Sequence, residues 1–320
     1  MNKKKIFLFF ILVVIILFAC FAIFRTGNSK TEDSEKINIV VSNFASYDFL
    51  RAIIGENKNV VLKFLLGPGK DAHSYDPTAN DLITIKNADL FVYIGGEMEN
   101  WSEKVISSLD GSKRKIICIS ELVDTIEEKE VDGAEAEEEE EEEGTFDEHI
   151  WTSPANAVKM VEILEKEMEE IDSKNTSTYK ENAEKYISAI KEVDLQIRQI
   201  VDNRVRDRLV FGDKMPMQYF IDYYGLKVSA TFSGCSTETE PSASTIAYLE
   251  KKVKEEEIPV VLYIELNNGK VANTIASEVP NCKAMQIQTL HNISLYDFNN
   301  GETWVSLMTR NLDVLKKALQ

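Results

Sequence analysis

The chain has 320 residues, with 36 lysines and arginines against 54 aspartates and glutamates, so its formal net charge is −18. This balance argues against a nucleic-acid-binding protein, and a content of 44% apolar and 28% charged residues excludes disordered and collagen-like classes. The length suits two globular domains of roughly 100 to 150 residues each.

The N-terminus has the layout of a bacterial export signal, because three lysines precede an apolar run over residues 6–24. Within this run, Leu-Phe-Ala-Cys resembles a bacterial lipobox, in which the cysteine, Cys20, is lipidated and becomes the mature N-terminus. We therefore predict a signal peptide over residues 1–19 and a lipid-anchored tether over residues 20–36. An uncleaved transmembrane anchor is the alternative, since roughly 20 apolar residues span a bilayer. Both interpretations place the folded part outside the cytoplasm, at the cell membrane.

From residue 37 onward, short β-branched runs alternate with stretches of helical periodicity. Strands are predicted at 37–41, 60–66, 90–94 and 116–119. Helices are predicted at 44–53, 78–86 and 99–109, and the second of these begins with a capping box formed by Thr78 and Asp81. Such alternation is typical of a mostly parallel sheet covered by helices, so residues 37–175 are predicted to form an N-terminal α/β lobe.

A long helix is predicted to link this lobe to a second one. Ser153 and Pro154 favour the start of a helix that breaks near residues 172–176. Beyond the break, apolar residues from Tyr179 to Ile200 recur at steps of four and three, which predicts a linking helix within residues 176–207. Strands at 208–211, 226–230, 259–264 and 284–287 then predict a C-terminal α/β lobe over residues 208–320.

The chain has three histidines, His73, His149 and His291, and each lies in or beside a predicted loop. His73 and His291 follow predicted strands, and the loops after parallel strands gather at one edge of a sheet, where ligands bind. Because neutral imidazole is the commonest metal donor, these loops suggest a zinc-type site. A structural role for each histidine is the alternative.

Several local sequences resemble the zinc and manganese substrate-binding proteins of ABC importers, the cluster A-I family. LGPGKDAHSYDPT at 66–78 resembles the first histidine motif of that family, and DEHIWTSP at 147–154 resembles the second. Tyr-Gly-Leu at 224–226 and ETEPSA at 238–243 match later landmarks. The resemblance implies a C-clamp of two α/β lobes with mostly parallel sheets, joined by one long helix, with metal in the cleft between the lobes.

The resemblance also implies particular ligands. His73 and His149 match ligands of the first lobe, and His291 stands where relatives usually have an aspartate ligand. Relatives have a histidine or glutamate ten residues before the tyrosine of Tyr-Gly-Leu, and Lys214 occupies that position here. A protonated lysine cannot bind a metal ion, so this position departs from the family pattern.

A carboxylate is therefore needed to offset Lys214 and complete the site. Glu265 is the predicted fourth ligand, because it follows the strand at 259–264 at the sheet edge and aligns with a glutamate-containing stretch near the family site. Asp213 and Glu240 are alternatives. Ordinary roles for these two are a salt bridge with Lys214 or a helix cap.

The implied function is a lipid-tethered, monomeric receptor that captures one Zn²⁺ per chain and delivers it to an ABC importer permease in the membrane. Three imidazoles and one oxygen favour Zn²⁺ over Mn²⁺, which is the alternative ion. No catalysis is expected. The sequence also allows a surface adhesin of the same family and a metallohydrolase with Glu148 as general base, although no HExxH motif supports the hydrolase.

Two further features leave questions open. Twelve acidic residues lie between Glu127 and Glu143, within a predicted acidic loop at 127–148. The run at 137–143 is predicted to be solvated and disordered, and weak collection of cations is the alternative. Cys118 is predicted to be a buried apolar residue, whereas a disulfide between Cys235 and Cys282 is left open.

Overall fold

The computed structural model describes residues 36–109, 114–135, 146–234 and 240–320. The predicted signal peptide, Cys20, the tether up to residue 35, the glutamate run at 137–143 and Cys235 lie outside the described residues. In the described ranges, no helix combines the length and the apolar character needed to cross a membrane.

The first lobe contains a four-stranded parallel sheet with the strand order β2-β1-β3-β4. Its strands are β1 (Ile37–Val41), β2 (Val60–Phe64), β3 (Leu90–Tyr93) and β4 (Lys115–Cys118). Its helices are α1 (Phe44–Ile54), α2 (Ala79–Lys86) and α3 (Trp101–Ser107). The predicted capping box is confirmed, because Thr78 and Asp81 exchange hydrogen bonds at the start of α2. The β-branched runs therefore form the sheet that the sequence predicts.

Boundaries in this lobe differ from the prediction by one or two residues, and one of these differences has a clear structural cause. The helix expected from residue 99 begins at Trp101, after a 3₁₀ turn at Glu97–Glu99. The buried carboxylate of Glu99 accepts hydrogen bonds from the backbone N–H groups of Ile94 (2.7 Å) and Gly95 (3.0 Å). These bonds hold Glu99 against the end of β3, so the regular helix starts only beyond it.

Two helices, α4 (Pro154–Ile171) and α5 (Thr176–Asp202), lead from the first lobe to the second. Pro154 occupies the first turn of α4 as expected, but the side chain of Ser153 makes no capping hydrogen bond. The predicted break is confirmed by a 3₁₀ turn at Ser173–Asn175, next to Asp172, whose carboxylate accepts a hydrogen bond from the Tyr179 hydroxyl at 2.7 Å. The 27 residues of α5 make a helix of about 40 Å.

The second lobe repeats the topology of the first, with parallel strands in the order β6-β5-β7-β8. Its strands are β5 (Arg208–Lys214), β6 (Lys227–Phe232), β7 (Val260–Tyr263) and β8 (Lys283–Gln286). Its helices are α6 (Gln218–Tyr224), α7 (Ala243–Glu255), α8 (Lys270–Ser277), α9 (Leu295–Asn299) and α10 (Trp304–Leu319). The strand β5 continues beyond its predicted end and carries Lys214 at its last position.

The long helix α5 holds the two lobes together. Its apolar stripe packs against α1 and α4 of the first lobe and against α10 at the C-terminus. One hydrophobic core is continuous through the molecule and includes Ile39 of β1, Ile197 of α5 and Phe211 of β5. The fold is therefore two parallel-sheet α/β lobes with a long helix between them, as the sequence predicts.

The described part of the acidic loop packs on the second lobe. Asp132 pairs with Ser229 of β6 in an isolated bridge, and its carboxylate accepts a hydrogen bond from Arg208 at 3.0 Å. Glu135 accepts a hydrogen bond from the backbone N–H of Ser242 at 2.6 Å and donates its own N–H to Thr231 at 3.0 Å. Residues 127–135, which we call the strap, thus tie the segment before His149 to the second lobe.

Candidate metal centre

His73 lies on the loop that follows β2, and this loop is tied to the second lobe. Gly69 has a positive φ of 75°, a conformation that glycine adopts without strain, and its N–H donates to the carbonyl of Ile293 at 2.7 Å. The N–H of Ala72 donates to the side-chain oxygen of Asn292 at 3.2 Å. Both bonds hold the loop of His73 beside the loop that carries His291.

His149 lies where the acidic segment returns to the first lobe, just before a 3₁₀ turn at Ile150–Thr152. The carboxylate of Asp147 accepts the backbone N–H of His149 at 2.8 Å and lies 3.2 Å from its Nδ1. A proton on Nδ1 donates to this carboxylate and leaves the lone pair of Nε2 free to bind a metal ion. The role of Asp147 is not among the predictions from the sequence, although its position two residues before His149 is a usable signal.

His291 lies on the loop that follows β8, beside Leu290, which has a positive φ of 58°. Its ring is only 2% exposed, and within the described residues neither ring nitrogen has a hydrogen-bond partner. A buried imidazole without any partner for its nitrogens is costly unless a ligand satisfies it. The ring is therefore available as a metal donor.

The three histidines converge between the lobes. Their ring centroids are 4.8 Å apart for His73 and His291, 4.9 Å for His149 and His291, and 6.0 Å for His73 and His149. One nitrogen of each ring lies within 4.8 Å of the corresponding nitrogens of the other two. In a tetrahedral zinc site with Zn–N bonds of about 2.0–2.1 Å, such nitrogens are roughly 3.4 Å apart, so small side-chain movements suffice to enclose an ion.

Two of the histidines, His73 and His291, are held in the neutral form that metal binding requires. Burial, the neighbouring His149 ring and the Lys214 ammonium lower the pKa of His73 to about 4, against the opposing effect of the Asp71 carboxylate. Burial and the neighbouring histidines likewise lower the pKa of His291 well below 6.5. At neutral pH both rings therefore offer lone pairs without first losing a proton.

The candidates predicted for a fourth ligand, Glu265, Asp213 and Glu240, do not belong to this group. Among the described residues the group consists of histidines alone. Asp213 accepts hydrogen bonds from the backbone N–H groups of Ile264 (3.0 Å) and Lys214 (2.9 Å), and Glu240 is exposed. The ordinary roles predicted for these two residues, a salt bridge with Lys214 or a helix cap, are not observed either. Within the described ranges no ion pair joins Asp213 to the Lys214 ammonium, and the residue that caps α7 is Ser242 rather than Glu240.

Glu265 follows β7 at the expected edge of the sheet, but its carboxylate holds the loop of His291. It accepts hydrogen bonds from the N–H of Thr289 (2.8 Å), the hydroxyl of Thr289 (2.8 Å) and the N–H of Asn292 (3.1 Å). The side chain is 3% exposed, and burial raises its pKa. The structure therefore places Glu265 behind His291 rather than beside its ring nitrogens.

The disulfide that the sequence leaves open involves Cys235, which lies outside the described residues, and within the described structure Cys118 and Cys282 are free thiols. Cys118 is half-buried, and its thiol donates to the carbonyl of Ile94 at 3.2 Å. Its prediction as a small buried residue is thus only partly met.

Two α/β lobes on a long helix, with three imidazoles converging between them, define a metal-binding protein of the two-lobed receptor type. Residues 39–318 match the model of the family described as zinc-uptake complex component A, periplasmic, and the chain belongs to this family. The family is a substrate-binding component of zinc transport and not an enzyme, which confirms the expected absence of catalysis. Membership also supports the predicted extracytoplasmic location.

Individual relatives show how far the similarity extends. The zinc-binding lipoprotein AdcA of Streptococcus pneumoniae is 31% identical over 98% of this chain, which spans 61% of that relative. The high-affinity zinc uptake system protein ZnuA of Bacillus subtilis is 29% identical, with 95% of this chain and 96% of that protein covered. The zinc-bound ZnuA-like domain of pneumococcal AdcA has a TM-score of 0.73 at 28% identity, covering 89% of this chain and 99% of that domain.

Proposed function

We propose that this protein captures Zn²⁺ outside the cytoplasm through His73, His149 and His291 and delivers it to the permease of an ABC importer. The observation that carries this proposal is the convergence of three imidazole rings whose free nitrogens are buried between the lobes. The names of the relatives, a zinc-binding lipoprotein and a zinc uptake protein, support the same function. The receptor would be a monomer. A lipid on Cys20, formed after residues 1–19 are removed, would keep it at the membrane.

The donor set favours zinc over manganese. Each of the three ligands is a neutral nitrogen donor, and imidazole suits Zn²⁺, whereas Mn²⁺ prefers oxygen donors. Intrinsic affinity for nitrogen sites also rises from Mn²⁺ to Zn²⁺. We assign Glu265 to the support of His291 through its hydrogen bonds to Thr289 and Asn292, in place of the direct ligand role that the sequence suggests.

Thermal unfolding with and without metal tests the binding site. If free zinc is about 1,000 times its dissociation constant, folding gains about 4 kcal/mol, which appears as a clear rise in the unfolding temperature. His291→Ala should remove most of this rise, because it deletes a donor. Glu240→Ala is the matched control, since this exposed carboxylate lies outside the ligand group and should leave the rise intact. An undiminished rise in His291→Ala would contradict the proposal.

Growth of cells under zinc limitation tests delivery. A strain that lacks the protein should recover growth with the wild-type chain, and His73→Ala should fail to restore it. Equal growth with both chains would contradict zinc delivery and favour a surface adhesin. Zinc should rescue the growth defect more effectively than manganese.

A further inference from the structure

Lys214 brings a positive charge to the edge of the histidine cluster. It is the last residue of β5 and is only 9% exposed. The segment that follows it lies against the loop of His149: the Tyr219 hydroxyl donates to the carbonyl of Asp147 at 2.7 Å. Gly234 lies between this segment and His149. A β-carbon at this position would contact both the Met215 carbonyl (3.2 Å) and Cε1 of His149 (3.4 Å). The ammonium also contributes to the lowered pKa values of His73 and His291.

In the described part of the chain no carboxylate forms an ion pair with this ammonium, although the Asp213 carboxylate lies within its electrostatic reach. Within these residues, no carboxylate oxygen lies within 4.0 Å of the Lys214 nitrogen. Two carboxylates of this region have other partners: Asp213 accepts hydrogen bonds from the backbone N–H groups of Ile264 and Lys214, and Asp147 accepts one from the backbone N–H of His149. The ligand group itself consists of three imidazoles and contributes no carboxylate.

Zinc capture would therefore place a dication within the electrostatic reach of a buried lysine, with no carboxylate ligand from the described residues between them. Two like charges in a buried, poorly screened site repel each other strongly. Three imidazoles also leave one position of a tetrahedral zinc ion open. Both problems have the same solution, which is an anion that binds the fourth position and accepts a hydrogen bond from the ammonium.

We propose that Lys214 and the zinc ion bound by His73, His149 and His291 together form a site for a small solution anion, which becomes the fourth zinc ligand. This inference rests on the proposed zinc function. The expected anion class is a compact monoanion that binds zinc, such as chloride, hydrogencarbonate or a short carboxylate. Lysine suits this task because its ammonium is a compact charge with three donors that can follow the anion.

The two ligands are then thermodynamically coupled. An anion that strengthens zinc binding is itself bound more tightly by the zinc-loaded protein, by the same factor. Couplings between linked ligands typically amount to roughly 5- to 150-fold in affinity. The wild-type chain should bind zinc more tightly by a factor in this range when a coordinating anion replaces a weakly coordinating one.

Zinc affinity measured against a competing chelator tests the coupling, with free zinc corrected for its complexes with each anion. Perchlorate at fixed ionic strength is the reference, and chloride, hydrogencarbonate and acetate replace it in separate arms. The test variant is Lys214→Met, which keeps an unbranched side chain one atom shorter than that of lysine and removes its charge. Lys227→Met is the control, since Lys227 forms an exposed ion pair with Asp207 at 2.8 Å.

The wild-type chain and Lys227→Met should gain about 5-fold or more in zinc affinity from at least one anion, and Lys214→Met should gain less than about 2-fold. Absorption at the bromine edge, with bromide in place of chloride, should show a zinc neighbour in the wild-type complex. Zinc bound tightly through histidines but indifferent to every anion, or an equal gain in Lys214→Met, would overturn the anion site alone. Absence of tight zinc binding in all arms would instead overturn the proposed function.

Discussion

The substitution Glu265→Gln separates a metal ligand from a residue that positions one. The carboxylate accepts three hydrogen bonds from Thr289 and Asn292, and it is almost fully buried. A glutamine retains one acceptor oxygen, while its amide nitrogen must face at least one of these donors. The variant therefore loses one or two bonds at the base of the loop that carries His291.

The number of hydrogen bonds lost sets the expected loss of stability. Each lost hydrogen bond lowers the free energy of unfolding by about 0.5–1.5 kcal/mol, and each buried donor left unsatisfied costs about 1–3 kcal/mol. We expect the metal-free variant to be less stable by about 2–4 kcal/mol. Substitutions behind a metal ligand typically lower metal affinity by about 10- to 100-fold, which is the loss expected for zinc here.

Urea unfolding of the metal-free protein and zinc competition against a chelator measure both effects. Asp172→Asn is the matched control, because Asp172 also accepts hydrogen bonds from three groups, including Tyr179 at 2.7 Å and Asn57 at 3.1 Å, but lies at the junction of α4 and α5. It should lose stability and keep its zinc affinity. A Glu265→Gln variant with unchanged apo stability and a zinc affinity lowered more than about 1,000-fold would refute the reasoning and make Glu265 a direct ligand.

Three further outcomes are expected. Burial, and then the nearby carboxylates of Glu99 and Asp147, raise the pKa of Glu148 to about 8. The stability contributed by its protonated form is therefore fully present below about pH 4.5 and is lost as the pH rises through about 8. As the pH rises across this window, Glu148→Gln should therefore gain up to about 5 kcal/mol of stability relative to the wild type. Urea unfolding of the metal-free protein measures this gain, and a stability difference that does not change with pH would contradict the assigned pKa shift. Deletion of residues 137–143, which leaves the strap intact, should change zinc affinity in calorimetry by less than about 2-fold, because the charges of an acidic run that is solvated, as the sequence predicts, are screened over about 8 Å. Loss of the tight site would move a ligand into the acidic run. Intact mass of protein extracted from membranes should match a chain that begins at a lipidated Cys20, and retention of Met1 would favour the plain anchor.

Local patterns made most of the fold predictable. Strands such as β1 and β7 are short runs rich in β-branched residues. The helix α2 begins at a capping box whose two partners, Thr78 and Asp81, are three residues apart. The same patterns place His73 and His291 each at the carboxyl edge of a sheet, after β2 and β8. These strands belong to two different sheets, so the convergence itself depends on how the lobes pack. The strands, the capping box and the edge positions depend on neighbours in the sequence or on topology, and both are visible in the chain.

The remaining features depend on distant partners. Whether Glu265 faces the metal or the loop behind His291 depends on the N–H groups of Thr289 and Asn292, which lie 24 and 27 residues further along the chain. The strap is held by Asp132 and Arg208, which are 76 residues apart in sequence. No periodicity or local motif encodes such pairs, so the sequence predicts an acidic segment and an edge carboxylate without their contacts.

X-ray absorption at the zinc edge of the zinc-loaded wild-type protein tests the central claim most directly. Three imidazole nitrogens should appear at about 2.0–2.1 Å in a four-coordinate site, and His291→Ala should lower the imidazole count by one. A six-coordinate, oxygen-rich spectrum that does not change in His291→Ala would contradict the assignment of the metal centre to His73, His149 and His291.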